Sequence, residues 1–277
     1  MDKIQTEKFF NYITYKQENK VFYNTLFARN KYLAKEEREK LKCPSNLLGI
    51  ELFTPNKYYD NFANYYRNVA RFEGGEDAYL SRSSKPLYNT VRAIYAGLNP
   101  VDLLKAKEMF VCELATLELR ASRGDRPLEQ VYSNIPRLFL KNCTNARLIK
   151  NIIDIDVDIK AENMYSDIYE EVLNNLCETL MKKLTSEQLA DVMFVFTKGG
   201  LHILSRTTHF CKEWHTKVLE ELAINVFGGL VTELKLNKNA MCPLPGTFQC
   251  GHFVYCTTVA EASNIFFKRH EEIEWED

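Results

Sequence analysis

Three acids recur at every second residue in the alternating stretch from Leu148 to Ile159: Asp154, Asp156 and Asp158, interleaved with Ile153, Ile155, Val157 and Ile159. Strict alternation has the period of a β-strand, so the spacing predicts a strand with one apolar and one acidic face. Asp154 and Asp156 then project from one face, roughly 6–7 Å apart along the backbone. Carboxylates gathered on one face repel each other, and a hard divalent cation such as Mg²⁺ or Mn²⁺ relieves that repulsion. Two such ions about 3.5–4 Å apart can clamp the attacking and leaving oxygens of a phosphoryl transfer. The same pattern also describes the solvated face of an amphipathic strand, and the acids by themselves do not separate the two readings.

A second group is Thr197-Lys198-Gly199-Gly200-Leu201-His202. Two glycines let the backbone turn tightly and come close to a ligand. Lys198 offers a cation to a triphosphate, His202 offers a donor from the strand after the turn, and Arg206 is a further phosphate candidate. Taken alone, the group reads equally as a hairpin turn followed by a core histidine. A third group is Glu233, followed by the turn Pro243-Leu244-Pro245-Gly246-Thr247, whose residues are ordinary turn chemistry in isolation.

The elements that must position these residues are readable from periodicity. After the acidic strand, a helix pattern runs from Glu162 to Leu184, then an apolar strand from Val192 to Thr197 and a second from Leu201 to Ser205. A helix over Thr208 to Val226 and strands around Gly229 to Leu236 and His252 to Thr257 complete the region. The order β-α-β-β-α-β predicts an α+β fold with a ferredoxin-like or RRM-like sheet, in which the Asp strand and the His202 strand are central neighbours. Upstream, Tyr58, Tyr59, Phe62, Tyr65, Tyr66 and Val69 repeat at helical spacing, Ala78 to Ser83 suits a short strand, and Asn99-Pro100 reads as the start of a helix running towards Gly124. The expected division is a mostly helical accessory region over 1–145, a catalytic core over 146–260 and an acidic tail over 261–277.

With 277 residues, 45% of them hydrophobic, the chain can bury a sizeable core and is not a disordered scaffold. Its 36 basic and 37 acidic residues leave a net charge of -1, which excludes a globally basic coat protein. Local basic stretches remain, at Arg137, Lys141, Arg147 and Lys150 and at Lys198, Arg206, Lys212 and Lys217; they suit phosphate-backbone contacts or a solvated face. Glu271, Glu272, Glu274, Glu276 and Asp277 surround Ile273 and Trp275, a frayed end or a docking tail for a basic partner. Met1-Asp2-Lys3 opens no secretory signal and no run of 18 apolar residues occurs, so an intracellular protein without a membrane span is expected. The eight cysteines form no CxxC pair and read as reduced thiols. His209, Cys211 and His215, and Cys250, His252 and Cys256, are of types that structural Zn²⁺ uses. Neither spacing is a standard knuckle, and the shared strand parity of the second set makes burial the simpler account.

Together and in this order, the three groups resemble the archaeo-eukaryotic primase superfamily. That family has an acidic strand matched by Ile152-Ile153-Asp154-Ile155-Asp156, a Gly-rich turn into a Ser-x-His-like strand matched by Gly199-Gly200-Leu201-His202, and a third acid matched by Glu233. Its primase-polymerase branch adds an Arg-Leu-Pro-Gly-Thr-like turn, here Pro243-Leu244-Pro245-Gly246-Thr247, and Phe196 to Ile203 is similar to a stretch in the polymerase domains of bacterial end-joining ligases. The resemblance covers roughly residues 148–258. It implies an RRM-like catalytic unit in which Asp154, Asp156 and Glu233 hold two Mg²⁺ or Mn²⁺ ions and His202 binds the incoming nucleotide's phosphates. A 3′-hydroxyl, or the first nucleotide's hydroxyl in priming, then attacks the α-phosphate and expels pyrophosphate. The implied partners are a single-stranded DNA template, NTPs or dNTPs and, for a compact chain with no attached helicase, a separate helicase, primase large subunit or single-strand-binding protein. By analogy the resemblance also fits a viral or mobile-element origin.

The chain departs from the family pattern in three places: Gly200 replaces the serine, Pro243 the arginine and Glu233 an aspartate, with Lys235 or Lys238 as substitutes for the missing positive charge. Asp158 opens a second register, Asp156 with Asp158, and the two isoleucines before Asp154 favour the first. The rival readings are a catalytically inactive RRM-like module that binds nucleic acid or a replication partner, and an untemplated nucleotidyltransferase using the same acids. RRMs that bind bases stack them on sheet aromatics, whereas this sheet offers Asp154, Asp156 and His202.

Overall fold

The computed structural model describes residues 2–17, 19–28, 36, 46–55, 92–147, 152–159, 167–206, 231–236, 241–249 and 252–262. Within these the protein is α+β, with helices and antiparallel sheets. The expected helices at Tyr58 to Val69 and Thr208 to Val226, the strand at Ala78 to Ser83, and the tail beyond residue 262 lie outside the described residues. So do Lys150, His209, Cys211, Lys212, His215, Lys217, Lys238 and Cys250.

The larger sheet is built from β4 (Ile152–Ile159), β5 (Val192–Thr197), β6 (Gly200–Arg206), β7 (Val231–Leu236) and β11 (Tyr255–Thr258), in the order β11-β5-β6-β4-β7 with every pairing antiparallel. The Asp strand β4 and the His202 strand β6 are neighbours. Helix α5 (Asp167–Lys183) and the short α6 (Ser186–Ala190) connect β4 to β5. Alternation along the strands sorts residues onto two faces. Ile155, Val157, Ile159, Phe194, Phe196, Leu201 and Ile203 pack against Leu173, Leu176, Cys177 and Leu180 of α5. Ile152, Met193, Val195 and Leu204 point the other way.

That second face meets a four-stranded sheet. Strands β1 (Phe22–Ala28), β2 (Asn46–Phe53), β3 (Arg92–Gly97) and β8 (Met241–Pro243) pair in the order β2-β1-β3-β8. Phe22, Phe53, Ile94, Ala96 and Cys242 of this sheet join Ile152, Met193, Val195 and Leu204 in one core, together with Phe9 and Phe10 of helix α1 (Lys3–Ile13). Each fully buried side chain of this size contributes about 1.5–3 kcal/mol of transfer free energy. The far face of the four-stranded sheet presents Tyr23, Leu52 and Met241 to Ala106 and Met109 of α2 (Leu103–Ser122) and to Phe139, Leu140 and Cys143 of α4 (Ile135–Asn145). The layers therefore run helix, sheet, sheet, helix; α3 (Leu128–Ser133) lies between α2 and α4 in the chain.

Strands interleave with the helices of residues 1–145: β1, β2 and β3 come from this region. Phe22 and Tyr23 are adjacent and both buried, so β1 is covered on both faces and shows none of the alternation that marks a strand. Pairing also crosses residue 145. Strand β8 pairs with β3 through Tyr95–Pro243, Ala96–Cys242 and Gly97–Met241, and Gln5 of α1 accepts from the Cys256 N–H of β11 at 2.7 Å.

Asn99 is not a helix cap. Asp102 caps α2, accepting from Lys105 N–H at 3.0 Å. Asn99 is instead buried, and its amide takes both backbone groups of Ile152: Nδ2 donates to the carbonyl at 3.2 Å and Oδ1 accepts from the N–H at 3.0 Å. This two-point clamp holds the entry to β4, two residues before Asp154. Asn99→Ala leaves a buried donor and acceptor unpaired and is expected to cost about 1–3 kcal/mol per group, read as a lowered midpoint in denaturant unfolding.

Candidate active site

Strand register assembles the site. Asp156 lies opposite His202 on β6 and opposite Lys235 on β7, while Asp158 lies opposite Gly200 and Glu233. Directly opposed residues share a face, so the backbone places Asp154, Asp156, Asp158, His202, Glu233 and Lys235 in one field on the side that meets the four-stranded sheet. The His202 ring is buried, and its Nδ1 bonds to both carboxylate oxygens of Asp154, at 2.9 and 3.1 Å. Its Nε2 is 3.6 Å from Asp156, and the Lys235 ammonium is 3.9 Å from the other Asp156 oxygen. The Asp154 side chain is fully enclosed, whereas that of Asp156 is 21% exposed and that of Lys235 43%. The acidic row thus runs from the apolar core towards solvent.

Burial alone would push the His202 imidazole down. The Asp154 carboxylate, by charge and hydrogen bond, and then Asp156 and Asp158 outweigh it and bring the group up to about 9. His202 is therefore an imidazolium at neutral pH, a charged donor inside the protein. Burial raises Asp156 above the ordinary aspartate range; His202 and Lys235 pull it down while Asp158 and Asp154 push it up.

Gly199 and Lys198 form the turn between β5 and β6, and Gly200 opens β6. Gly200 has φ +150°, and a Cβ there would stand 2.0 Å from the Val157 carbonyl oxygen. The serine of the family pattern has no room, so this departure is imposed by close strand packing. The Lys198 N–H is spent on Gln249 Oε1 at 2.9 Å, and the Gly199 carbonyl accepts from Ile159 N–H at 2.9 Å. Of the expected phosphate-binding group, His202 contacts the acidic row, Gly200 lies opposite Asp158, and Gly199 bonds to the end of β4.

Arg206 does not join them. It sits at the Ile152 end of the sheet, where Nε donates to Asp191 at 2.8 Å, Nη2 donates to the Ala190 carbonyl at 2.9 Å, and the guanidinium lies over the rings of Tyr12 and Tyr15. The Pro-Leu-Pro-Gly-Thr turn is likewise structural. The Pro245 carbonyl accepts from Thr6 at 2.8 Å, the Gly246 carbonyl accepts from Asp2 N–H at 2.7 Å, and a Cβ on Gly246, at φ +84°, would meet Asp2 at 2.3 Å. This turn docks the start of α1. Pro243 is buried in β8, in register with Tyr95. Cys256 lies in the inter-sheet core with its thiol on the Gln5 carbonyl at 3.7 Å. Sequence reasoning missed Asn99, Tyr95 and Gln249 as residues that hold the site, because single polar residues bridging distant segments leave no local pattern.

Oxygen ligands of the type a hard cation takes share this face: three aspartates lie on β4, Glu233 stands opposite Asp158 in register, and the Asp156 carboxylate is partly exposed. Among the described residues, no group of three or more His, Cys, Asp or Glu side chains is arranged as a metal site, and Asp154 already directs both oxygens at His202. No helix among them is long and apolar enough to cross a membrane.

Two outcomes follow. Because the folded His202 group lies above its unfolded value near 6.5, its contribution is complete below about pH 6.5 and lost as pH rises through about 9. Urea unfolding of the wild type should show stability falling across that window, and His202→Gln should flatten the fall. Gly200→Ser should cost more than the ~1–3 kcal/mol of a strained backbone, because it also collides with β4; thermal unfolding measures it. The chain matches no protein-family model, no curated protein and no solved structure among those compared.

Proposed function

We propose that the protein is a primase or primase-polymerase related to the archaeo-eukaryotic primases, making primers on single-stranded DNA by template-directed transfer of nucleotides. One observation carries this reading: the Asp154–Asp156 strand lies beside the His202 strand, with the carboxylates and the imidazolium in contact and Glu233 opposite Asp158 in register. The sheet order β7-β4-β6-β5, with a helical crossover after β4, supports an RRM-like catalytic unit.

Asp154, Asp156 and Glu233 would hold the divalent ions, which when bound supply the positive charge that activates the attacking hydroxyl and neutralises the triphosphate. His202, charged and held from behind by Asp154, presents a fixed cationic donor to a phosphate oxygen without reorganising. Lys235 adds an exposed cation beside Asp156, the position in which it makes up for the arginine replaced by Pro243. Lys198 brings a third cation on the turn next to Gly200. Enclosure of Asp154 and His202 by the second sheet keeps water from the pair and strengthens their interaction.

An inactive nucleic-acid-binding module is the second reading. It is favoured by the closed Asp154–His202 pair, which neutralises the acidic row from within. Primer synthesis and extension on single-stranded DNA, with NTPs or dNTPs and Mg²⁺ or Mn²⁺, separates the two. Product from the wild type, reduced roughly a thousandfold by Asp156→Ala, is expected, equivalent to about 4 kcal/mol of lost transition-state stabilisation. Asp154 is tested as Asp154→Asn, which removes the charge but keeps the volume and an acceptor for His202 Nδ1, whereas Ala would also open a cavity and confound loss of activity with loss of fold. A wild type that binds single-stranded DNA yet makes no product with any of these combinations favours the inactive module.

A further inference from the structure

We infer that Gln249 is a positioning residue for the Lys198–Gly199 turn, tying it to the opposite sheet and so setting where the turn stands beside the acidic row. Gln249 belongs to the short strand β9 (Phe248–Gln249) and is 5% exposed. Its side-chain amide is used at both ends: Oε1 accepts from the Lys198 N–H at 2.9 Å and Nε2 donates to the Tyr95 hydroxyl at 3.1 Å. Tyr95 is on β3 of the four-stranded sheet, buried, with its ring edge-on to Phe27 at 5.7 Å. The turn is gripped from its other side by Ile159 N–H at the end of β4, which donates to the Gly199 carbonyl at 2.9 Å. It is therefore held between the acidic strand and a strut anchored in the other sheet.

Most of the described core between the sheets is apolar. Apolar packing tolerates sliding, whereas a buried amide is costly unless both ends find partners and so admits one arrangement. His252 lies opposite Gln249 in register on β10 (His252–Phe253), and its imidazole is lowered by burial and then by the nearby Lys198 charge. The inference rests on the nucleotidyl-transfer reading above: Gln249 touches no substrate, and acts by fixing Lys198 relative to His202 and Asp156.

Gln249→Met keeps the length of the side chain and removes both hydrogen bonds. Gln249→Glu keeps an acceptor for Lys198 N–H and lets the Tyr95 hydroxyl donate to it. Two readouts are compared: amide hydrogen exchange at Lys198, and steady-state primer extension with a nucleoside triphosphate and Mg²⁺ or Mn²⁺. Gln249→Met should speed Lys198 exchange and raise the nucleotide KM, each by about tenfold, the factor expected for one lost hydrogen bond, with kcat within about twofold. Gln249→Glu should restore most of both. If Gln249→Met does not fold, Tyr95→Phe, which deletes only the far bond, should move both readouts the same way by about threefold. Unchanged exchange at Lys198 overturns the strut, and faster exchange with an unchanged KM overturns its role in nucleotide positioning. A wild type that neither binds nor extends with any triphosphate overturns the parent reading and the nucleotide role with it, while the exchange result reports separately on the strut.

Discussion

The structure depends on an ion pair between Asp154 and His202, enclosed between two β-sheets. Taking two charges out of water costs several kcal/mol per ion, and a well-packed apolar pair of similar volume would serve stability as well or better. The pair therefore constrains the fold more than it supports it. It requires β4 and β6 to be adjacent, their register to hold, and the covering sheet to stay close enough to exclude water. The Asn99 clamp at Ile152, the Gly200 contact with β4 and the Gln249 strut each meet one of these requirements.

The layered architecture turns this constraint into a site. Along one face of β4, Ile152 is buried among apolar residues, Asp154 is buried against a charged partner, and Asp156 is partly open to solvent. Along this face a hydrophobic core thus grades within five residues into a partly exposed acid, with the more exposed Lys235 beside it. A fully solvated row would lose field strength to water, and a fully buried one could not admit any ligand. Partial cover keeps His202 charged and aimed while leaving Asp156 reachable.

What could be read in advance follows from how local each determinant is. Alternation along β4, the apolar run of β5 and the Gly-Gly turn before β6 are written in consecutive residues, and the pairing of the Asp and His strands follows from element order. The strands β1 and β3 were hidden because both faces are buried and their partners lie far along the chain, β8 as far as residues 241–243. Arg206 and the Pro-Gly-Thr turn have residue types suited to phosphate, but Asp191, Tyr12 and Tyr15 hold the first and the start of α1 occupies the second. Gly200 looked like a lost serine until the Val157 carbonyl showed that no side chain fits. Gln249 has no local signature; only the approach of three distant segments gives its amide a purpose.

The most direct measurement is an NMR titration of the His202 imidazole in the intact chain, assigned with His202→Gln. A buried charged pair predicts a ring that stays protonated through neutral pH and loses its proton only near pH 9. A ring that titrates close to 6.5, as a solvated histidine does, would contradict the pair and the cationic phosphate donor built on it.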